Sequence, residues 1–404
     1  MSIPKDKIEE VRERASIVQV ISDYVPLNRR GANHIGLCPF HSEKTPSFSV
    51  SEEKKIFYCF GCNATGNVIT FLMKKEGMSF PEAVMSLASR FGVVIPKETK
   101  GPPDKREEIY SALKLSADFF YKELRAASGK AARDYFKGRG FGEETANEFR
   151  VGLAPDKWDG LVSFLKAKGV SAEAALKAGV LIKKERGGAY DRFRGRLIFP
   201  IMDVKGRTIG FGGRVLGDGE PKYLNSPESP VFKKGEILYG FYQAKQAVVK
   251  EKAVIVVEGY FDLLALHKHG FTNSVATMGT ALTKEHLRSL KGYAETVYAL
   301  FDSDQAGRKA AVRGLPLFLE EGMECRAVLL TEGKDPDEFL LKKGPEAMEE
   351  ALVSAPPLME FFLNELKKGL DLRKPSDKRK YLDGAMEHLS KVANVAERGH
   401  YVSI

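Results

Sequence analysis

The sequence predicts a multidomain chain of α+β and α/β class: a small strand-rich module, a mixed α+β segment, an α/β domain and a C-terminal helical segment. Three observations predict it. Cysteine and histidine in paired spacing occupy a strand-rich stretch before residue 65. A charged, Pro/Gly-bearing stretch without apolar residues, Pro96–Arg106, marks a linker. Beyond residue 250, short apolar runs alternate with helical periodicity, the pattern of a parallel sheet with crossover helices.

At 404 residues the chain has room for two to four domains, at about 100–200 residues each. The formal net charge is +9, from 63 Lys and Arg against 54 Asp and Glu, which suits a polyanionic partner. Met1 to Val11 is charged and has no apolar core, so no signal peptide is read there. No run of about 18 apolar residues occurs, so no membrane partner or span is expected. Four cysteines in such a chain are read as reduced, and the protein as cytoplasmic.

Residues 5–25 read as one amphipathic helix, with Ile8, Val11, Ala15 and Val18 on one face. Ser47–Val50 and Ile56–Tyr58 read as strands joined by the turn Ser51–Lys55, and two short helices carry the chain to about Phe91. Residues 107–180 read as mostly helical. Leu197–Val204 and Thr208–Val215 form a hairpin around Lys205-Gly206. Ala253–Val257, Val297–Phe301 and Ala327–Leu330 are buried strands, and from Pro336 the pattern is helical again. The domains are placed at 1–97, 107–250, 251–336 and 337–404, with 98–106 as linker.

Cys38-Pro-Phe-His41 is followed 18 positions later by Cys59-Phe-Gly-Cys62. Two such pairs form two knuckles that close on one tetrahedral zinc ion, and the hairpin between them makes a zinc ribbon. A four-ligand site leaves no position for water, so this zinc is structural. Phe48, Tyr58, Arg29, Arg30 and Lys44 offer rings and cations for nucleic acid, with Phe48 and Tyr58 equally readable as core. Cys325 reads as a core residue and His34 as a surface or packing residue.

Three acidic groups stand at predicted strand ends: Glu258-Gly-Tyr-Phe-Asp262, Asp302-Ser-Asp304 and Asp335-Pro-Asp337. In open α/β sheets ligands bind outside the carboxyl ends of the strands. So many carboxylates together need a cation, and Mg²⁺ (or Mn²⁺) takes oxygen ligands while keeping water and phosphate. Asp262, four residues after Glu258, is expected to share its face. Residues 183–250 carry fourteen Lys and Arg against seven Asp and Glu, beside a glycine-rich Gly210-Phe-Gly-Gly-Arg214 expected to let backbone approach a ligand.

The acidic set resembles the TOPRIM fold, shared by type IA and II topoisomerases, bacterial primases, some nucleases and recombination mediators. Further blocks are Asp191-Arg-Phe-Arg-Gly-Arg-Leu-Ile-Phe-Pro200, Pro221-Lys-Tyr-Leu-Asn-Ser-Pro227 and Lys233-Lys-Gly-Glu-Ile-Leu-Tyr-Gly240. With these and the zinc ribbon, essentially the whole chain resembles the bacterial DnaG-type primases, over their zinc-binding and RNA polymerase domains. The resemblance implies synthesis of short RNA primers on single-stranded DNA from ribonucleoside triphosphates. It implies that Glu258, Asp262, Asp302 and Asp304 are catalytic and that Glu258, Asp302, Asp304, Asp335 and Asp337 hold Mg²⁺. Whether Glu258 is ligand or base stays open. It further implies that Arg139, Arg214, Lys222, Tyr223 and Lys234 line the template groove. Family members usually continue into a C-terminal domain that docks on the replicative helicase. Since the chain ends at His400-Tyr-Val-Ser-Ile404, that domain is expected to be missing, and priming to proceed without helicase stimulation. The rivals are a topoisomerase or nuclease of the same fold, which supercoiled DNA would reveal, and a non-enzymatic single-strand binder.

Overall fold

A computed structural model describes residues 5–78, 80–93, 105–301, 305–330, 335–392 and 394–403. Most of the expected linker, Asp302 and Asp304 fall outside these residues, while Lys105 and Arg106, expected in the linker, open a helix. The chain forms two compact units, Met1–Pro102 and Pro103–Ile404.

The first unit opens with α1 (Lys5–Arg14) and α2 (Ile17–Ser22), where one continuous helix was expected. Ser16 divides them: it is extended, and its hydroxyl caps the Gln19 N–H. The Glu52 carboxylate holds the break by accepting from the Ser16 hydroxyl at 3.1 Å and Val18 N–H at 3.0 Å. A five-stranded antiparallel sheet follows in sequential order: β1 (Asn28–Arg30), β2 (Asn33–Gly36), β3 (Phe48–Ser51), β4 (Ile56–Cys59) and β5 (Thr65–Gly66). Helices α3 (Val68–Glu76) and α4 (Phe80–Arg90) close the unit. Phe48, Phe57 and Phe71 are fully buried and pack with Phe40 as one aromatic cluster. Phe48 is therefore core, and alternation along β4 leaves Ile56 and Tyr58 on the outer face.

The second unit begins with α5 (Lys105–Arg125), α6 (Lys130–Gly138) and α7 (Glu143–Glu148). The expected helical stretch is interrupted by strand β6 (Gly152–Ala154) before α8 (Gly160–Ala167) and α9 (Ala172–Lys177). A small hairpin, β7 (Leu181–Lys183) with β8 (Ala189–Asp191), precedes the expected larger one, β9 (Arg196–Met202) with β10 (Thr208–Val215). Asp203 builds that turn by accepting from the Lys205 and Arg207 N–H groups at 2.9 and 3.0 Å. With β11 (Tyr223–Asn225) these strands form an antiparallel sheet ordered β11-β10-β9-β6. All seven residues of β9 are buried, as befits an interior strand covered on both faces.

The α/β part follows: α10 (Phe241–Glu251), β12 (Ala253–Val257), α11 (Tyr260–Lys268), β13 (Ser274–Ala276), α12 (Lys284–Leu290), β14 (Thr296–Phe301), α13 (Gln305–Glu321) and β15 (Glu324–Leu329). The sheet is parallel and ordered β13-β12-β14-β15. The three expected strands are present; β13, only three residues long, is the addition. Val256, Ala299 and Ala327 lie in one register line, so β12, β14 and β15 end within about a residue of one another. Cys325 is buried in β15, as expected. Helix α14 (Pro336–Val353), kinked at Gly344, is followed by α15 (Leu358–Lys367), α16 (Pro375–Leu389) and α17 (Val395–Ser403). Phe361, Phe362, Leu389 and Tyr401 of these last helices join the same core as the parallel sheet. None of the described helices is long and apolar enough to cross a membrane.

Candidate zinc centre and candidate active site

The ligand atoms of Cys38, His41, Cys59 and Cys62 all lie within 4.8 Å of one another. A tetrahedral ion with bonds of about 2.3 Å has edges near 3.8 Å. The separations Cys38 Sγ to Cys62 Sγ and Cys59 Sγ to His41 Nδ1 are both 3.8 Å. The four residues therefore fit one zinc ion, with His41 presenting Nδ1. Gly61 is required for closure: a Cβ there would fall 2.6 Å from His41 Nε2. N–H groups of Gly61 and Cys62 point at Cys59 Sγ at 3.3 and 3.4 Å, as expected of such a knuckle.

Two residues that the spacing did not single out support the ligands. Glu43 lies 3.2 Å from His41 Nε2, which fixes the tautomer that frees Nδ1, and it accepts from the Cys38 N–H at 2.7 Å. Ser47 bonds Glu43 and lies 3.3 Å from Cys59 Sγ. Their sequence signal is an acid and a hydroxyl within six residues of the first ligand pair. Burial pushes the Cys38 thiol up to about 12. Burial also pushes the Cys59 thiol up, but the Ser47 hydroxyl and the Cys62 and Gly61 N–H groups outweigh it and bring it down to about 7. On the outer face, Tyr58 meets Phe60 edge-on at 4.9 Å, and Phe60 is 74% exposed. Phe60 was not among the expected rings. Arg29, Arg30 and Lys44 are exposed.

In the second unit, Glu258 directly follows β12 and its side chain is exposed. Helix α11 begins only at Tyr260, so the helical-turn spacing expected between Glu258 and Asp262 does not apply. Asp262 instead turns back on the helix start, accepting the Gly259 N–H at 3.0 Å. Asp335 caps α14 by accepting the Glu338 N–H at 2.9 Å. Asp337 is buried and bonds Arg139 Nη2 at 2.9 Å. Burial pushes the Asp337 carboxyl up, against the pull of Arg139. Among the described residues, the zinc quartet is the one group of three or more Cys, His, Asp or Glu placed to share an ion. Asp262, Asp335 and Asp337 thus hold helix ends and an ion pair, and Glu258 is the acid presented to solvent.

Arg139, Arg214 and Tyr223 come together beside these acids. Arg214 and Tyr223 are cross-strand partners on β10 and β11, with the guanidinium 5.0 Å from the ring centroid. Arg214 Nε donates to the Tyr135 hydroxyl at 3.3 Å. Tyr223 stacks on Tyr260 at 6.1 Å, and the Tyr260 hydroxyl donates to Asn225 at 2.7 Å. Arg139 lies 4.6 Å over Phe261, the next residue of α11. Gly212 serves this packing: a Cβ there would fall 2.2 Å from the Tyr260 hydroxyl oxygen. Lys222 is exposed next to Tyr223, and the Lys234 carbonyl accepts from buried His286 at 3.1 Å. Tyr135 carries no charge and belongs to no short motif, and Asn225 and Phe261 stand inside quoted blocks without a charge to single them out.

Four family models match the chain. They are described as CHC2 zinc finger (residues 3–102), DNA primase catalytic core, N-terminal domain (119–245), Toprim-like (255–340) and DnaB-helicase binding domain of primase (359–403). The last overturns the expectation that a helicase-binding segment is missing: α15 to α17 carry it. Amphipathic helices have no motif residue by which the sequence could flag such a segment. The DNA primase of Halalkalibacterium halodurans is 43% identical over 407 residues, covering 99% of this chain and 68% of that protein. The structure of the Aquifex aeolicus primase, zinc binding and RNA polymerase domains, covers 100% of this chain and 96% of its own at 39% identity and TM-score 0.66. A DnaG primase catalytic domain bound to ssDNA matches 74% of this chain and 97% of its own at 37% identity and TM-score 0.68. Zinc quartet, parallel sheet with acidic ends and a 43% identical relative matched over 99% of the chain together place this chain in the DnaG family of DNA primases.

Proposed function

We propose that the chain makes short RNA primers on single-stranded DNA, as a DNA-directed RNA polymerase acting at the carboxyl ends of β12, β14 and β15. One observation supports this reading most: the cationic, aromatic face of β10 and β11 is packed directly onto the helix that follows Glu258. Tyr223 on Tyr260 and Arg139 on Phe261 hold a strand-binding surface against an acidic strand end. Arg214 and Arg139 meet template phosphates, Tyr223 stacks a base, and Lys222 and Lys234 extend the positive track.

Glu258 follows β12, and β14, its parallel neighbour in the sheet, ends at Phe301, just before Asp302 and Asp304 in the sequence. With Asp335 and Asp337 after β15, these acids would hold Mg²⁺ or Mn²⁺. An ion held there would supply the charge that makes a ribonucleotide 3′-hydroxyl more acidic and offsets the charge on the leaving group. The hydroxyl oxygen bonds the α-phosphorus of the incoming triphosphate, and the bond to pyrophosphate breaks. The protein's own part is positioning: the Arg139–Asp337 pair fixes a cation beside the acids, and Asp262 fixes the turn that carries Glu258. The zinc module engages template, with Tyr58 and Phe60 as its exposed rings. Helices α15 to α17 dock on the replicative helicase. Such work on DNA places the chain in the cytoplasm.

The test is incubation with single-stranded DNA, Mg²⁺ and labelled ribonucleoside triphosphates. Short RNA is expected from the wild type and none from Asp304→Ala, whose fold and template binding persist. Wild-type yield from a folded Asp304→Ala protein at limiting Mg²⁺ would make the acids ordinary strand ends and favour a non-enzymatic binder.

A further inference from the structure

A cavity of about 660 Å³ opens between the end of α5, α6 and the start of α7. Phe136 and Phe141, both nearly fully buried, line its base, and their rings stand 5.3 Å apart. Arg125, Arg133 and Lys137 surround it, with Glu143 as the one carboxylate in its lining. Among the described residues none of these three stands in a side-chain ion pair, and Glu143 is the carboxylate that acts on Arg125. Arg133 reaches only backbone, donating to the Ala126 carbonyl at 2.8 Å and to that of Leu124. Arg125 is half-buried against Tyr121, and burial holds its guanidinium below the usual range. Three cations against one lining carboxylate, over an aromatic floor, suit an organic anion with a flat ring. The volume lies within the about 300–1,000 Å³ of small-ligand pockets, and planar guanidiniums match phosphate oxygens.

We propose that this cavity is a second nucleotide site, taking the phosphates of a free ribonucleoside triphosphate on Arg125, Arg133 and Lys137 and its base against Phe136 and Phe141. The acidic strand ends play no part in it. Its position gives it a route to them all the same. Helix α6 shows one face to the cavity through Arg133, Phe136 and Lys137. Another face carries Tyr135 to Arg214, and the helix ends at Arg139, the partner of Asp337. Phe141 stacks on Phe261 at 5.6 Å, three residues after Glu258. A ligand that fills the cavity therefore bears on the helix that places both arginines.

The site stands independently of the polymerase reading, and its test reads binding alone. Equilibrium dialysis of the full chain with radiolabelled ATP, in buffer without added Mg²⁺, measures the cavity with the acidic strand ends lacking their cation. Lys137→Glu, a change at an exposed residue, is expected to weaken ATP binding about tenfold or more, the loss of one charge-assisted contact. Arg133→Glu with Lys137→Glu is expected to abolish it, and Glu258→Gln to leave it unchanged. Binding that survives both charge reversals overturns the proposal. So does inorganic triphosphate that binds as tightly as ATP, which would leave an anion site only, or a single-stranded oligonucleotide that displaces ATP more strongly than free nucleotides do, which would assign the cavity to a strand.

Discussion

Asp337 shows how one residue serves two demands. It is buried, which favours its neutral form, and it faces Arg139, which favours its charged form. Burial is the larger influence, so its carboxyl titrates above the ordinary range. A carboxyl raised in the folded state binds protons more tightly folded than unfolded. Its contribution to stability is then full below the unfolded value, about 4, and is lost as pH rises through the folded value. Asp337→Asn cannot ionise and lacks this loss. Melting temperatures of the two proteins, compared between about pH 4 and pH 7, should therefore shift against the wild type as pH rises. The opposite trend would mean that Arg139 outweighs burial. The same residue marks a limit of sequence reading. Asp335-Pro-Asp337 announces acids at a strand end, but only the fold shows that one caps α14 and the other is spent on an arginine 198 positions away.

Elements were legible where a period or a strong motif ran long enough. The strands β9, β10, β12, β14 and β15 announced themselves as apolar runs, and the zinc ribbon as paired ligands. The strands β6 and β13 did not, because three residues carry no period. The break at Ser16 was missed although Ser16-x-x-Gln19 is a capping-box spacing, because the apolar stripe continues across it. Gly210-Phe-Gly-Gly was legible as close approach but not as to what. Since Tyr260 fills the space over Gly212, Gly212→Ala should push the ring away, break its bond to Asn225 and loosen β11 from α11. The expected cost is about 1–3 kcal/mol in urea unfolding, typical of overpacking, with weaker template binding alongside. Unchanged stability would mean that β10 has room to shift. At the other end, Leu382 and Met386 stand four residues apart on α16 and are 47% and 56% exposed. Deleting the whole segment would strip Phe361 and Phe362 from the core, so surface changes are the better probe. With Leu382→Asp and Met386→Asp, priming alone should persist while stimulation by helicase is lost. Full stimulation would place the helicase contact elsewhere.

At the scale of the molecule, each unit has its own core. The aromatic cluster of Phe40, Phe48, Phe57 and Phe71 belongs wholly to the first, and the clusters around the two sheets of the second draw nothing from it. The first unit is small, and small units need help beyond hydrophobic burial. Zinc supplies that help, because a site absent from the unfolded chain turns binding free energy into folding free energy. The ligands sit on the same elements as the core: Cys59 ends β4 two residues after buried Phe57, and Cys38 precedes the turn that carries Phe40. Stripping the metal leaves Cys38, Cys59 and His41 gathered with nothing to hold them, and the hairpin that positions Phe48 and Phe57 loses its closure. A strong chelator should therefore remove the aromatic circular dichroism of the first unit and abolish its melting transition. The second unit, with no zinc ligand, should melt at its original temperature. Cys59→Ser should give the same result without chelator. Primer initiation should fall with the first unit, while Mg²⁺ binding by the second persists. If chelation lowers the melting of both units together, their folding is coupled and the independence of the two cores does not hold.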